Sequence, residues 1–231
     1  MIKVCLGFCV SVLALINIVL IGTFPRLLPP LTRLPAAVLT PALLAMSGYG
    51  FDQVIFIDNV GDRINHAERA AFAAQHAAAG LVLFSVELSM AITLVLKSQV
   101  HCKWRYIAFA IILVGSYSRG IRLKDYPVVK NIIVGSTWAV FAVVLPCLMA
   151  APQGQLSRQR LCLMVAAMFL FGFAASLKSD ASDTKGDAEQ GTLTIPLLCG
   201  KEFANFMASM GFTVWWALMG CSLASRFRER H

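Results

Sequence analysis

Long apolar blocks alternate with short polar connections along the whole chain. A helix needs roughly 20 consecutive, mostly apolar residues to cross the hydrocarbon core of a bilayer. Seven blocks approach or reach that length, at residues 4–23, 36–57, 78–96, 104–121, 131–150, 160–177 and 203–223. The pattern predicts an all-α, multi-pass transmembrane helix bundle of about seven helices, forming one domain over residues 1–231.

The first apolar block follows Lys3 and could be taken for a signal peptide. Its apolar stretch is longer than the roughly 7–15 residues of a signal-peptide core, and no small-residue cleavage site follows it. We therefore predict that residues 4–23 form a transmembrane helix. The proline-rich stretch TFPRLLPPLTRLP (23–35) predicts a stiff turn after this helix.

The composition supports a membrane protein. Hydrophobic residues make up 58% of the chain and charged residues 14%, whereas soluble domains carry roughly 25% charged residues. The seven cysteines form no CxxC pair and the four histidines show no metal-binding spacing, which argues against disulfides and zinc. The net charge of +8 lies in short loops beside apolar blocks, so it indicates lipid headgroups or an anionic substrate and not nucleic acid.

The acidic residues concentrate on one side of the predicted bundle. Lys and Arg divide evenly between the two sides when the chain is threaded through the bilayer, so the positive-inside rule gives no orientation. Ten of the twelve acids fall on or at the edge of one side: Asp52, Asp58, Asp62, Glu68, Asp125, Asp180, Asp183, Asp187, Glu189 and Glu202. Carboxylates interleaved with Arg and Lys on one face indicate a site for a polyanion and metal ions.

The stretch SDASDTKGDAEQG after the sixth block carries Asp180, Asp183 and Asp187 at positions i, i+3 and i+7. If the sixth helix continues a turn or two beyond the membrane, the three carboxylates share one helix face. Carboxylates that close repel one another and need a cation, for which Mg²⁺ is the usual choice. The alternative is a solvated acidic loop in which Lys178 and Lys185 are the partners.

A second acidic stretch, GYGFDQVIFIDNVGDRINHAERAAF (48–72), lies on the same predicted side and carries Asp52, Asp58 and Asp62. Two acidic clusters that face each other could hold metal ions against a diphosphate. The connection YSRGIRLKDYPVVKN (117–131) is basic, and its side chains could bind the same phosphates. The alternative for these basic residues is interfacial snorkelling.

These stretches resemble a known family. The run D-x-x-D-x-x-G-D, followed by GTLTIPLLCG (191–200), resembles the second aspartate-rich motif of the UbiA-type membrane prenyltransferases. The run DNVGDRINHAER (58–69) resembles the first motif of that superfamily, and the basic connection resembles its third-to-fourth polar connection. The resemblance covers roughly residues 45–202, and its second motif is the more specific one.

The chain also departs from the family pattern. Gly50, Phe51 and Asp52 stand where the family has an Asn–Asp pair, so the choice between Asp52 and Asp58 as metal ligand stays open. Members typically have nine helices, whereas this chain ends one helix after the second motif. On this comparison two helices are missing, which would open one wall of the expected cavity. Whether the chain is active as a monomer, and whether it forms an oligomer, are open questions at this point.

The resemblance implies Mg²⁺-dependent transfer of a prenyl group from a prenyl diphosphate to a lipid-soluble, aromatic acceptor, in a membrane protein with cytoplasmic acidic loops. The implied metal ligands are Asp52, Asp58, Asp62, Asp180, Asp183 and Asp187. The implied catalytic residues are Asp62, Asp183, Asp187 and Lys124. The implied diphosphate-binding residues are Asn65, Arg69, Arg122 and Lys130.

Other functions remain open from the sequence. The same site could support terpene cyclisation, in which the prenyl cation attacks its own double bond, or the chain could be a non-catalytic membrane protein that keeps the scaffold. A transporter is a weaker alternative, because no broken-helix repeat is visible. Glu87, inside an apolar block, could activate an acceptor, or it could be a structural group that is satisfied by Ser85 and Ser89 or by being protonated. Several aromatic residues could face a cation, although packing is the more ordinary role: Tyr117, Trp138, Phe141, Phe169 and Phe173.

Overall fold

A computed structural model describes most of the chain after the first apolar block. The described residues are 33–55, 60–98, 100, 103–118, 123–150 and 158–228. The predicted first helix, 4–23, and nearly all of the proline-rich turn that follows it lie outside these residues.

Within the described ranges the secondary structure is entirely helical, as the apolar pattern predicted. Nine helices follow one another: α1 (Leu34–Ile55), α2 (Val60–Asn65), α3 (Ala67–Gln75), α4 (Ala77–Lys97), α5 (Lys103–Ser118), α6 (Pro127–Ala150), α7 (Arg158–Gln190), α8 (Ile195–Cys199) and α9 (Lys201–Arg228). A short 3-10 turn, Leu123–Asp125, precedes α6.

Five of these helices are long and apolar enough to cross a membrane, namely α1, α4, α6, α7 and α9. They correspond to five of the predicted blocks. The block predicted at 104–121 is also helical, but α5 ends at Ser118 and residues 119–122 lie outside the description. All six predicted helices that fall in the described part are therefore present.

Two connections predicted as loops are largely helical. Residues 58–77 contain α2 and α3, and residues 178–202 contain the end of α7 and all of α8. The α7 helix has 33 residues, about 50 Å at 1.5 Å per residue, so it is longer than the roughly 30 Å hydrocarbon core. It ends at Gln190, and the next residue, Gly191, has a φ of +71°, the left-handed conformation that often terminates helices. The condition for a shared face, a continuing sixth helix, is met.

The α7 helix is the centre of the bundle, because it packs against both α6 and α9. Glycine lets α6 and α7 approach closely: a Cβ atom at Gly135 would lie 2.8 Å from the carbonyl oxygen of Phe169, and one at Gly172 would lie 2.5 Å from the Trp138 ring. This contact brings the beginning of α6 against the polar end of α7.

The α6 helix widens into a π-helical turn at Val140–Val144. The cause is Pro146, whose ring would clash with the carbonyl of residue 142 in a regular α-helix and which has no N–H to donate. The turn is buried together with Leu145 in the main apolar core. The distortion is thus absorbed in the middle of the bundle, and the polar first turns of α6 stay regular.

Candidate functional site

The first and second acidic stretches meet at one end of the bundle, where α2 packs on the polar end of α7. The contact is very close at two glycines. A Cβ atom at Gly186 would lie 2.5 Å from the carbonyl oxygen of Gly61, and one at Gly61 would lie 3.2 Å from that of Gly186. Gly186 cannot take a side chain unless the helices move apart, whereas a Cβ atom at Gly61 would be tight but would mainly displace the end of the Gln190 side chain.

Asn65, the last residue of α2, joins the two stretches by hydrogen bonds. Its Nδ2 donates to the backbone oxygen of Asp183 at 2.8 Å, and its Oδ1 accepts from the backbone N–H of Gly186 at 3.0 Å. The side-chain amide therefore holds α2 in one register on α7. Sequence analysis predicted that Asn65 binds diphosphate. That role stays a prediction, whereas the joining role is visible in the structure.

Arg69 on α3 connects the first acidic stretch to α1. Its Nη2 donates to Asp62 Oδ1 at 3.1 Å and its Nη1 donates to the hydroxyl of Tyr49 at 3.1 Å. Tyr49 is thus a member of the site that sequence analysis missed, because a tyrosine at the end of an apolar block is typical of interfacial anchoring.

Asp183 is half-buried, with a side chain 23% exposed. Its Oδ1 lies 3.3 Å from Nε2 of His66, and its Oδ2 accepts from the Ser179 hydroxyl at 3.2 Å. His66 follows Asn65 directly in the chain. No sequence signal indicated that it would contact a carboxylate of the other stretch.

Asp180 lies deepest and is fully engaged. Its Oδ1 accepts from Lys130 Nζ at 2.5 Å, and its Oδ2 accepts from Asn131 Nδ2 at 3.3 Å. The same Asn131 amide donates to the Ser176 hydroxyl at 2.9 Å. The first turns of α6 are therefore tied to α7 by a buried polar network, in which Lys130 is the only charged partner of Asp180 that the described contacts define.

Asp187 is different again. Its Oδ2 is buried and accepts no hydrogen bond from any described residue. The buried hydroxyl of Thr194, at the start of α8, lies near this carboxylate, although no hydrogen bond of ordinary geometry joins the two. A buried carboxylate oxygen without a donor is costly unless a ligand satisfies it. This oxygen is the best-placed ligand position that the described contacts leave open.

The donor set fits magnesium. Carboxylate oxygens are the ligands of this hard cation, which binds through one or two carboxylates and takes the rest of its ligands from water and substrate phosphates. No three acidic, histidine or cysteine side chains converge on one point within the described residues. Asp62 stands on α2 beside Gly61, and Asp183 and Asp187 stand on α7 on either side of Gly186. One or two carboxylates from this set, completed by water and phosphate oxygens, are the usual ligands of Mg²⁺.

Three predicted site residues cannot be placed. Asp58 and Arg122 lie outside the described residues, and for Lys124 only the backbone, in the turn Leu123–Asp125, is described. Asp52 is half-buried on α1, one turn after Tyr49. The question whether Asp52 or Asp58 is the metal ligand therefore stays open.

Glu87 is 7% exposed and lies on the face of α4 that carries Phe84, the ring that packs on Gly50 of α1. The suggestion that Ser85 and Ser89 satisfy it is wrong. These exposed hydroxyls donate to backbone oxygens of their own helix, at 2.8 Å and 2.7 Å.

The predicted aromatic residues that the structure describes are packed between helices. Trp138 contacts the Phe171 ring with centroids 5.1 Å apart, and Phe169 stacks on Phe173 at 6.1 Å. Phe141 is buried in the core against Phe109. Tyr117 lies in α5, but its side chain is outside the description. For Trp138, Phe141, Phe169 and Phe173, the role that the structure shows is therefore packing.

Comparisons with known proteins agree with this fold. The sequence profile of the UbiA prenyltransferase family matches residues 5–227. A UbiA homolog from Archaeoglobus fulgidus, solved bound to DMAPP and Mg²⁺, is 16% identical with a TM-score of 0.63, covering 97% of this chain and 85% of that one. The same homolog bound to GPP and Mg²⁺ is 16% identical with a TM-score of 0.61, covering 97% and 86%. No curated protein matches significantly.

Proposed function

The chain belongs to the UbiA prenyltransferase family, and from this we propose that it transfers a prenyl group from a prenyl diphosphate to a lipid-soluble, aromatic acceptor, with Mg²⁺. The observation that carries the proposal is the joining of the two aspartate stretches, by Asn65, at the polar end of an apolar bundle. The ligands named for the similar structures, DMAPP and GPP with Mg²⁺, are of the chemical class that such a site would bind.

In this proposal Asp62, Asp183 and Asp187 hold the metal. Asp187 offers a buried oxygen that lacks a donor among the described residues, while Asp62 and Asp183 offer partly exposed carboxylates. When bound, Mg²⁺ neutralises the diphosphate oxygens and stabilises the negative charge that grows on them as the diphosphate leaves.

Basic side chains bind the diphosphate directly. Lys130 stands at the first turns of α6 and Arg69 beside Asp62, both at the end of the bundle where the acidic stretches meet. Charge-assisted hydrogen bonds from such groups to phosphate are among the strongest in proteins. Lys124 and Arg122 belong to the same proposed set on sequence grounds.

The transfer then proceeds in the apolar interior. The bond between the allylic carbon and the diphosphate oxygen breaks, and its electron pair leaves with the diphosphate. The acceptor carbon donates an electron pair to the allylic cation, a carbon–carbon bond forms, and the acceptor loses a proton. The apolar walls of the bundle keep out water, which would otherwise quench the cation. We place the acidic face in the cytoplasm, as the resemblance implies.

The test measures Mg²⁺-dependent diphosphate release and organic products. Purified protein is incubated with dimethylallyl, geranyl, farnesyl and geranylgeranyl diphosphates and a membrane extract as the acceptor source. Asp183→Asn and Asp187→Asn should each lower turnover by about 10²–10³-fold or more, the usual effect of removing a group that stabilises developing charge. Glu189→Gln, an exposed acid on the same helix, is the matched control and should behave as wild type.

The products separate the candidate functions. An alkylated acceptor supports prenyl transfer, whereas hydrocarbon products with diphosphate release indicate cyclisation on the same site. No release from any donor, with Asp183→Asn indistinguishable from wild type, would mean that the chain is a non-catalytic member of its family.

A further inference from the structure

The three aspartates of the second acidic stretch are equivalent in the sequence but not in the structure. The Asp180 side chain is 1% exposed, and both of its oxygens accept hydrogen bonds from α6. Asp183 is 23% exposed and Asp187 keeps a buried oxygen without a donor among the described residues. Only two of the three carboxylates are therefore placed to accept a new ligand.

The environment of Asp180 opposes a magnesium ion. A cation bound at its Oδ1 would displace the Lys130 ammonium group or lie next to it, and the two positive charges would repel strongly in a buried place. If the ammonium group lost its buried carboxylate partner, its desolvation would no longer be offset by the attraction between the two charges. Taking Asp180 as a metal ligand thus requires breaking an ion pair that the fold has already desolvated.

The pair has one accessible member, and that member is the lysine. The Lys130 side chain is 20% exposed, compared with 1% for Asp180. Asn131 fixes the other oxygen of Asp180, is itself fully buried, and is bonded to Ser176. Asn131 therefore fixes the Asp180 carboxylate on its buried side, and the carboxylate in turn holds the Lys130 ammonium group at the polar end of the bundle.

We infer that Asp180 is a positioning residue, which holds Lys130 for the diphosphate of the substrate and does not bind magnesium. The inference rests on the proposed function. The aspartates of one motif then have two different roles. Asp183 and Asp187 bind the metal, and Asp180 positions a basic side chain that binds the phosphates.

The test separates metal binding from diphosphate binding without turnover. Inorganic diphosphate is titrated into purified protein with saturating Mg²⁺ by calorimetry, and Mn²⁺ is titrated with saturating diphosphate by electron paramagnetic resonance. Asp180→Asn should weaken diphosphate binding about tenfold, as expected for losing a charged hydrogen-bond partner, and change the Mn²⁺ affinity less than about twofold. Asp183→Asn should show the opposite preference, with the larger loss in Mn²⁺ affinity.

A double-mutant cycle tests the route through Lys130. Lys130→Met should weaken diphosphate binding, and adding Asp180→Asn to it should cause no further loss, because the two side chains act as one unit. Additive losses would contradict a positioning role. Glu189→Gln is again the matched control, and circular dichroism with size-exclusion chromatography checks the fold of each variant.

Asn131→Ala gives a second approach if Asp180→Asn does not fold. It removes one hydrogen bond to Asp180 and should weaken diphosphate binding while the Mn²⁺ affinity stays unchanged. If Asp180→Asn or Asn131→Ala instead weakens Mn²⁺ binding as much as Asp183→Asn does, the inference is wrong although the proposed function stands. A wild-type protein that binds no diphosphate would refute both.

Discussion

The two acidic stretches meet in one site, yet they are built in different ways. The second lies on α7, a helix of 33 residues with Leu177, Asp180, Ala181 and Gly186 buried along its polar end. The first lies on α2 and α3, which have six and nine residues. Gly61 is the only buried residue described in these two helices. One stretch is supported by a long packed helix, and the other has almost no core of its own.

The difference shows where the geometry of the site comes from. Helices this short are marginal in isolation and depend on tertiary contacts. The contacts that connect the first stretch to α7 and α1 include the Gly61–Gly186 approach, the Asn65 hydrogen bonds, the His66–Asp183 contact and the Arg69 link to Tyr49. The position of Asp62 is therefore determined largely by α7 and α1. The first acidic stretch, which has little core of its own, depends on the second, which lies on a long packed helix.

The largest effect is expected from closing the glycine contact. Gly186→Ala places a Cβ atom 2.4 Å from Asn65 Nδ2 and 2.5 Å from the Gly61 oxygen, so α2 must move away. A displacement of about 1 Å between catalytic groups can cost roughly 10²-fold in rate, and we expect turnover to fall by about that factor. Prenyl transfer and the Mg²⁺ concentration for half-maximal rate are the measurements.

Gly220→Ala provides the control, because a Cβ atom at that exposed position on α9 would meet nothing within 4 Å. It should leave the rate within about twofold of wild type, as surface substitutions usually do. If Gly186→Ala were equally silent, the first stretch would not depend on close contact with α7.

An intermediate effect is expected at the link to α1. Tyr49→Phe removes the hydroxyl that accepts from Arg69 Nη1 at 3.1 Å. A hydrogen bond to a charged group contributes about 1.5–3 kcal/mol when buried. Because Arg69 is 30% exposed, we expect the lower part of that range and a roughly tenfold rise in KM for the prenyl diphosphate. An unchanged KM, measured by steady-state kinetics, would show that α7 alone positions the first stretch.

The smallest effect concerns dynamics. Amides of α2 and α3 should exchange with deuterium at least about tenfold faster than those of residues 177–186, because regions with few buried contacts open more often. Added Mg²⁺ and inorganic diphosphate should slow exchange in α2 and α3 and leave the already protected segment of α7 nearly unchanged. Hydrogen-exchange mass spectrometry in detergent micelles measures both. Equal protection of the two stretches would contradict the comparison.

Much of the fold follows from local pattern. The apolar blocks predicted every spanning helix that the structure describes, because burial in lipid requires long runs of apolar residues whatever their neighbours. The continuation of α7 beyond the membrane was predicted as the condition under which Asp180, Asp183 and Asp187 share a face. Its full length was not, since the polar residues 178–190 are compatible with helix or loop until α2 and α6 pack against them.

The candidate site was only partly predictable. The two aspartate stretches could be identified from spacing and family resemblance, but Tyr49 and His66 could not, because their roles arise from contacts with distant residues. The sequence also could not predict that Asp180 is bonded to Lys130 while Asp187 keeps an oxygen without a donor among the described residues. Spacing places both on one helix face, whereas burial and the presence of Lys130 depend on where α6 begins.

The sequence by itself determined that this is a helical membrane protein, and it predicted that the carboxylates gather on one face, because apolar length and charge position are properties of the chain read in order. Only the tertiary structure decided which carboxylates are available. A glycine contact and an asparagine amide set the register between α2 and α7, segments more than 100 residues apart (Asn65 to Asp183, a separation of 118). The packing of α6 on α7 separately places Lys130 on Asp180, while Asp187 Oδ2 keeps a position for a ligand.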